Sequence, residues 1–326
     1  MKVALINRRY TTTGGAERFL VGLARYLRDA GHMVHVHCSE VRPDLRAEPG
    51  VVFEDLPLVR PAKTASQWWR SREVEADVVM SFGRGHGHDV VRCGGGAHAA
   101  WQTACRPAWM LDPSEWLERW LDRDTVCSAG TVITPSGMAR DDLHRHYGVT
   151  AQVIHNGVDT ALFQPGQGGE GLLFVGRGFQ RKGLDVAIAV ARRLKLPLTV
   201  VGDDARIERW REENPEVQFL GNVLDVESWY GRFDALLLPS MYEPYGNVCV
   251  EAMACGTPAL TTSRNGVKEV LPDELVADGV EALTEATAQA LAGGTGLRAR
   301  CRDIAVALPP QKAYQAVERV LVESRR

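Results

Sequence analysis

The sequence predicts an α/β protein of two domains, each a parallel sheet flanked by helices. Three observations lead there. Four-residue apolar runs such as Val3-Ala-Leu-Ile6, Leu172-Leu-Phe-Val175 and Ala235-Leu-Leu-Leu238 end in loops followed by helical patterns. Unbroken apolarity over that length marks a strand buried on both faces. From Leu172 such runs alternate with helices, recurring at Leu198–Val201, Val217–Leu220, Ala235–Leu238 and Ala259–Thr262, the pattern of a sheet covered on both sides. Between the halves lies a polar, glycine-rich stretch, Gln164 to Glu170, where the domain boundary is expected. The division is therefore residues 1–164, 165–308 and a terminal helix over 309–326.

Val3–Ile6 is the first strand. A loop ending in Gly14-Gly15 leads to a helix over Ala16–Ala30, whose apolar positions Phe19, Leu20, Leu23, Ala24 and Leu27 keep the helical period. Gly31 closes it before the strand Met33–His37. This opening is that of a nucleotide-binding domain, although it lacks G-x-G-x-x-G. A strand at Asp77–Ser81 precedes FGRGHGHDVVRCGGGAHAAW, which carries His86, His88 and His98. No acidic or cysteine partner stands at a ligand spacing from them, so no metal is expected. Trp101–Arg123 holds four of the eight tryptophans, with Trp116 and Trp120 four apart on one helical face. They are expected to fill the core of the first domain. The other reading joins them to the basic segment Arg60–Arg72 as a face for a lipid-linked acceptor at a membrane surface. Asp122-Arg-Asp124 has the form of a D-x-D metal motif but falls at a helix end rather than after a strand, and is set aside. Thr131–Thr134 is a strand, Ser136 starts a helix to Tyr147, and Gln152–Ile154 leads towards the boundary.

In the second domain the strand Leu172–Val175 runs into GRGFQRKG and a helix over Leu184–Leu194. Arg177 and Lys182 stand five apart at this strand-to-helix turn, two cations suited to a diphosphate leaving group. PSMYEPYGNVCVEAMACGTPAL, Pro239 to Leu260, continues the strand Ala235–Leu238 into a loop, a helix from Gly246 to Cys255 and a further strand. Gly256 and Pro258 end that helix. Ligands of such units sit at the carboxyl ends of strands, where a helix N-terminus offers N–H groups to an anion. Tyr245, Gly246, Asn247 and Val248 make that N-terminus, framed by Glu243 before the helix and Glu251 just over one turn into it. An anion cradle with two carboxylates suits a sugar attached to a diphosphate: the phosphates meet the helix, and the hydroxyls donate to the glutamates.

Glu243 and Glu251 form the E-x7-E pattern, and with EAMACGTPAL this stretch resembles the retaining GT-B glycosyltransferases of the large family 4. GGAERFLVGLARYLRDAGHMV and PSGMARDDLHRHYGVTAQVIHNGVDTALFQP are similar to that family's opening helix and domain junction. The resemblance implies a GT-B fold, two Rossmann-like domains facing a cleft, with the terminal helix crossing back onto the first. It implies that Glu243 contacts the donor sugar, Glu251 the ribose, and Arg177 and Lys182 the diphosphate. It also implies that Gly14 and Gly15 approach the donor phosphate or the acceptor, and that Val223, after the strand Val217–Leu220, lines the base pocket. RCGGGAHAAW resembles lipopolysaccharide-core glucosyltransferase-like enzymes, which gives His98 a place facing the reacting sugar.

The function expected is transfer of a sugar from a nucleotide diphosphate donor, UDP-sugar favoured, to a hydroxyl acceptor with retention, needing no metal or cofactor. An NAD-dependent oxidoreductase would share the α/β pattern but should show G-x-G-x-x-G, which neither opening loop has. A sugar-nucleotide-binding protein without turnover would carry the same donor residues. Apolar content of 45% and charged content of 24% belong to a soluble globular chain, and a net charge of -3 gives no sign of a nucleic-acid partner. Seven cysteines without a C-x2-C pair read as reduced thiols. With no signal peptide or spanning helix read from the sequence, a cytoplasmic enzyme is expected, peripheral at the inner membrane surface if the acceptor is lipid-linked.

Overall fold

A computed structural model describes residues 1–58, 63–105 and 112–325. The chain divides into two units, Met1–Asn156 with Pro310–Arg326, and Gly157–Pro309. In the first unit the strands are β1 (Lys2–Ile6), β2 (Arg9–Tyr10), β3 (Met33–Cys38), β4 (Glu40–Val41), β5 (Val51–Asp55), β6 (Val78–Ser81), β7 (Val90–Arg92), β8 (Thr131–Thr134) and β9 (Gln152–Val153). β2 and β4 pair by themselves, and the rest form one sheet in the order β5-β3-β1-β6-β7-β8-β9. Its pairs are parallel, as continuous apolar strands require. The order reverses between β1 and β6, so the loops after these two strands diverge and leave room for a ligand at their carboxyl ends.

Helices of this unit are α1 (Gly15–Asp29), α2 (Lys63–Arg70), α3 (His98–Cys105), α4 (Pro113–Cys127) and α5 (Gly137–Tyr147). Its apolar face buries Phe19, Leu20, Leu23, Ala24 and Leu27, so α1 follows the period read from the sequence. Ser136 caps α5, its side chain accepting from the Ala139 N–H, and Gly148 ends it in the left-handed conformation.

The second unit has strands β10 (Leu172–Val175), β11 (Leu198–Val201), β12 (Gln218–Gly221), β13 (Ala235–Leu238) and β14 (Ala259–Thr261), with helices α6 (Leu184–Leu194), α7 (Ile207–Glu213), α8 (Glu227–Tyr230), α9 (Asn247–Ala254), α10 (Val280–Ala292) and α11 (Gly294–Val306). The sheet order is β12-β11-β10-β13-β14, all parallel. β10, β11, β13 and β14 are wholly buried. The switch point lies between β10 and β13, beside the two loops that carry the predicted site residues.

Two expectations need correction. The boundary falls at Asn156/Gly157 rather than at Gln164, because residues 157–164 belong to the second core. Val158 and Phe163 are buried in it, the Val158 N–H donates to the Leu308 carbonyl at 2.9 Å, and Arg302 donates to the carbonyls of Thr160 and Phe163. A final helix, α12 (Pro310–Glu323), returns to the first unit. There the Tyr26 hydroxyl donates to Glu318 at 2.7 Å, and Phe19 meets Tyr314 edge-on at 5.3 Å. Nor do the tryptophans of α4 fill the core. Trp116 and Trp120 are 58% and 53% exposed, because the inward face of α4 is taken by Glu115, Leu121, Asp122, Thr125 and Val126. Residues 59–62 and 106–111, with Trp109, lie outside the described residues.

Candidate functional site

The loops after β10 and β13 meet at Glu243. Its Oε2 accepts from Lys182 Nζ at 2.7 Å and from Arg181 Nη1 at 3.0 Å, and Arg181 also donates to the Tyr242 carbonyl at 3.0 Å. The backbone closes the junction: Met241 N–H donates to the Arg181 carbonyl at 2.9 Å. A Cβ at Gly183, just after Lys182, would collide with the Pro239 carbonyl oxygen, so only glycine lets the two loops approach this closely. Burial works to raise the Glu243 carboxyl, but Lys182 and then Arg181 outweigh it and hold the group down at about 2. Glu243 is therefore an anion at neutral pH.

On its other side Glu243 is fixed to the loop after β14. Its N–H donates to the Arg264 carbonyl at 3.0 Å, and the Gly266 N–H donates to the Glu243 carbonyl at 2.9 Å. Asn265, fully buried, stands behind the start of α9 and donates to Thr261 Oγ1 at 2.9 Å. Gly246 caps α9 with φ +71°, and a Cβ there would lie 2.6 Å from Asn265 Nδ2. Conformation and space both demand glycine at this helix start. Tyr245 is buried, which pushes its hydroxyl up, while Asn247 and Val248 are half-buried in the first turn.

Glu251, one turn further, is buried and accepts from the Tyr230 hydroxyl at 2.6 Å. Arg177 is exposed and reaches Asn222 Oδ1 at 3.4 Å, and Asn222 in turn donates to Asp203 at 3.3 Å. This chain ties the ends of β10, β11 and β12 together. Val223, next to Asn222, packs half-buried against the core. The structure thus brings Lys182 and Glu243 into direct contact and sets Arg177 at the neighbouring strand ends.

In the first unit Gly14 caps α1 and Gly15 is its first residue. His98 opens α3, where its Nε2 lies 3.0 Å from Glu115 Oε2, its N–H donates to Asp122 Oδ2 at 2.7 Å, and its ring stacks on Trp101 at 5.1 Å. Asp122 also accepts from Tyr147 Oη at 2.8 Å and from Arg84. The D-x-D look-alike is therefore a buried hub that locks the start of α3. Among the described residues no three His, Cys, Asp or Glu side chains are grouped as a metal site.

Sequence reasoning missed Arg181, Tyr230, Asn265, Glu115 and the role of Asp122. Arg181 was open to discovery as the second cation beside Lys182. The spacing of Tyr230 and Asn265 from Glu251 follows no local rule, and only the fold joins them.

Two family profiles match this chain: "Glycosyl transferases group 1" over residues 169–293 and "Glycosyltransferase Family 4" over residues 13–162. A probable transglycosylase of Burkholderia thailandensis is 30% identical over 281 residues, spanning 78% of this chain and 75% of its own. An alpha-maltose-1-phosphate synthase of Mycolicibacterium smegmatis is 27% identical over 327 residues, spanning 84% and 82%. Of solved structures, WaaG, a glycosyltransferase involved in lipopolysaccharide biosynthesis, superposes with a TM-score of 0.82 over 98% of this chain and 99% of its own at 22% identity. HepE of Anabaena, solved in complex with UDP-glucose, superposes at 0.75 over 99% and 100% at 16% identity. The two parallel-sheet units are those of the GT-B fold, and a protein so built, with these relatives, is a glycosyltransferase. The chain belongs to the group 1, family 4 glycosyltransferases.

Proposed function

We propose that this glycosyltransferase moves a sugar from a UDP-sugar to a hydroxyl acceptor with retention at the anomeric carbon and without a metal. The observation that carries the reading is the convergence of Arg181 and Lys182 on Glu243 at the switch point of the second sheet. As the glycosidic bond breaks, charge grows on the diphosphate. Arg177, Lys182 and the N-terminus of α9, from Tyr245 and Gly246 ahead of it to Asn247 and Val248 in its first turn, meet that charge. Glu243, held ionised and oriented by its two cations, accepts from the sugar hydroxyls. Glu251, positioned by Tyr230, accepts from the ribose, and Val223 borders the base. His98, aligned by Glu115, faces the reacting sugar, and the Gly14-Gly15 turn lies by the acceptor or the donor phosphate. The leaving phosphate deprotonates the acceptor on the same face.

UDP is favoured among donors because HepE, a structural relative, was solved with UDP-glucose. The acceptor is a glycolipid, glycan or small molecule. For a lipid-linked acceptor the enzyme would work at the inner membrane surface, with exposed Trp69, Trp116 and Trp120 and Arg72 over the rings of Trp68 and Trp69. No described helix is long and apolar enough to cross a membrane.

The test is to incubate the protein with UDP-sugars and hydroxyl acceptors in EDTA and follow the products by NMR. Release of UDP with a product of the donor's anomeric configuration supports the reading. An inverted product, a trapped glycosyl-enzyme or turnover only after metal is added contradicts it.

A further inference from the structure

β7 is an inner strand of the first sheet, between β6 and β8, and it ends in a cation. Arg92 is 3% exposed. A buried guanidinium ordinarily finds a carboxylate, because an unpaired charge away from water costs several kcal/mol. Among the described residues Arg92 has no ion pair. Its Cζ lies 3.9 Å from the centroid of Phe19 and 5.9 Å from that of Phe82, and it donates to Asn156 Oδ1. A guanidinium offers five N–H donors, so one neutral acceptor and two aromatic rings leave most of its hydrogen-bonding capacity unused. Burial lowers its pKa to about 10, which still leaves it charged at neutral pH.

The group is not sealed in. With Arg84, His98 and Asp122, Arg92 lines a cavity of about 200 Å³ at the carboxyl ends of β6 and β7. Gly94, Gly95 and Gly96 form a wall without side chains, and a Cβ at Gly94 would come within 2.9 Å of Arg92 Nη1. The one carboxylate on the wall, Asp122, is already engaged by Arg84, Tyr147 and the His98 N–H. Arg84 balances Asp122, which leaves Arg92 as the uncompensated charge.

We infer that Arg92 is the seat for an anionic oxygen group, a carboxylate or a phosphate, carried by the acceptor. This rests on the glycosyltransferase reading and specifies the acceptor as acidic. The cavity admits a group of that size and not a whole glycan, so the acceptor would insert its charged substituent and leave its reactive hydroxyl outside.

The test uses the full chain held at saturating UDP, so that the donor site is occupied. Inorganic phosphate and acetate are titrated separately into wild type, Arg92→Met, Arg92→Lys and Arg177→Ala, and the melting temperature is followed. One of the two anions should raise the melt of wild type and of Arg177→Ala saturably, by about 5 °C at a hundred times its dissociation constant. Arg92→Met should show no response and Arg92→Lys a reduced one, and which anion acts tells phosphate from carboxylate. Without anion, Arg92→Met should melt no lower than wild type, because it removes a buried charge with no ionic partner. Equal responses in wild type and Arg92→Met, or no response in wild type, overturn the inference. A large fall in the anion-free melt of Arg92→Met would make Arg92 a structural strut and overturn it as well. The melt shift caused by UDP alone, read in the same series, reports on the donor site separately.

Discussion

Replacing Glu243 by glutamine removes the charge on which two loops converge while keeping its shape. In the folded protein the carboxyl is held at about 2, against an ordinary value of 4.5. A group with a depressed folded pKa stabilises the fold above its unfolded value, and that contribution is lost as pH falls through the folded one. A difference of some 2.5 units amounts to about 3 kcal/mol at pH 7, shrinking to roughly 1.4 kcal/mol at pH 3. The side chain is 15% exposed, so solvent screens the pair little. Glu243→Gln should therefore cost the second unit about 3 kcal/mol at neutral pH, and the gap to wild type should narrow between pH 4.5 and 2. Native-state hydrogen exchange of amides in β13 reads this unit in the intact chain. The substitution also frees Lys182 and Arg181 from their acceptor, so UDP should bind the variant at least as tightly as wild type while sugar transfer falls. Equal stability of the two proteins at pH 7, or a gap that widens in acid, would refute the ion-pair argument.

Arg177→Ala should weaken UDP about 10- to 100-fold by calorimetry, the scale of one charge-assisted hydrogen bond, and leave the melt of the free protein unchanged because the side chain is exposed. Tyr230→Phe deletes the 2.6 Å hydrogen bond to Glu251. Chemical denaturation should show a loss of about 1–3 kcal/mol, and the donor KM should rise more than kcat falls. Gly246→Ala forces a Cβ against Asn265 at φ +71° and should destabilise by more than about 1 kcal/mol, with donor binding lost in step, as thermal melts with and without UDP would show. Trp69→Ser with Trp116→Ser should cut sedimentation with anionic lipid vesicles while leaving transfer to a soluble acceptor intact, if the lipid-linked reading holds.

Strands that are apolar on both faces could be read from the sequence with little error: Leu172–Val175, Leu198–Val201 and Ala235–Leu238 have the bounds expected of them. β7 was not legible, because Val90-Val-Arg92 places a cation where a buried strand should be apolar. The boundary was misplaced for a related reason. Gln164–Glu170 is the polar, glycine-rich stretch, and only the fold shows that Val158 and Phe163, ahead of it, reach into the second core. Within the site, Lys182 and Glu243 were legible as types at a turn. Their contact depends on the parallel neighbours β10 and β13, which bring residues 61 apart in the chain to 2.7 Å. Trp116 and Trp120 show the opposite case: the sequence favoured the core for large aromatics, but a helix whose inward positions hold Glu115 and Asp122 turns its tryptophans outward.

A thermal titration with a panel of nucleoside diphosphates tests the donor site most directly. UDP should stabilise wild type, by about 2.7 kcal/mol at a hundred times its dissociation constant, and at the same concentration should stabilise Arg177→Ala and Glu251→Ala by no more than about half of that. A shift with NAD(H) and none with any nucleoside diphosphate, or equal shifts in wild type and both variants, would contradict it.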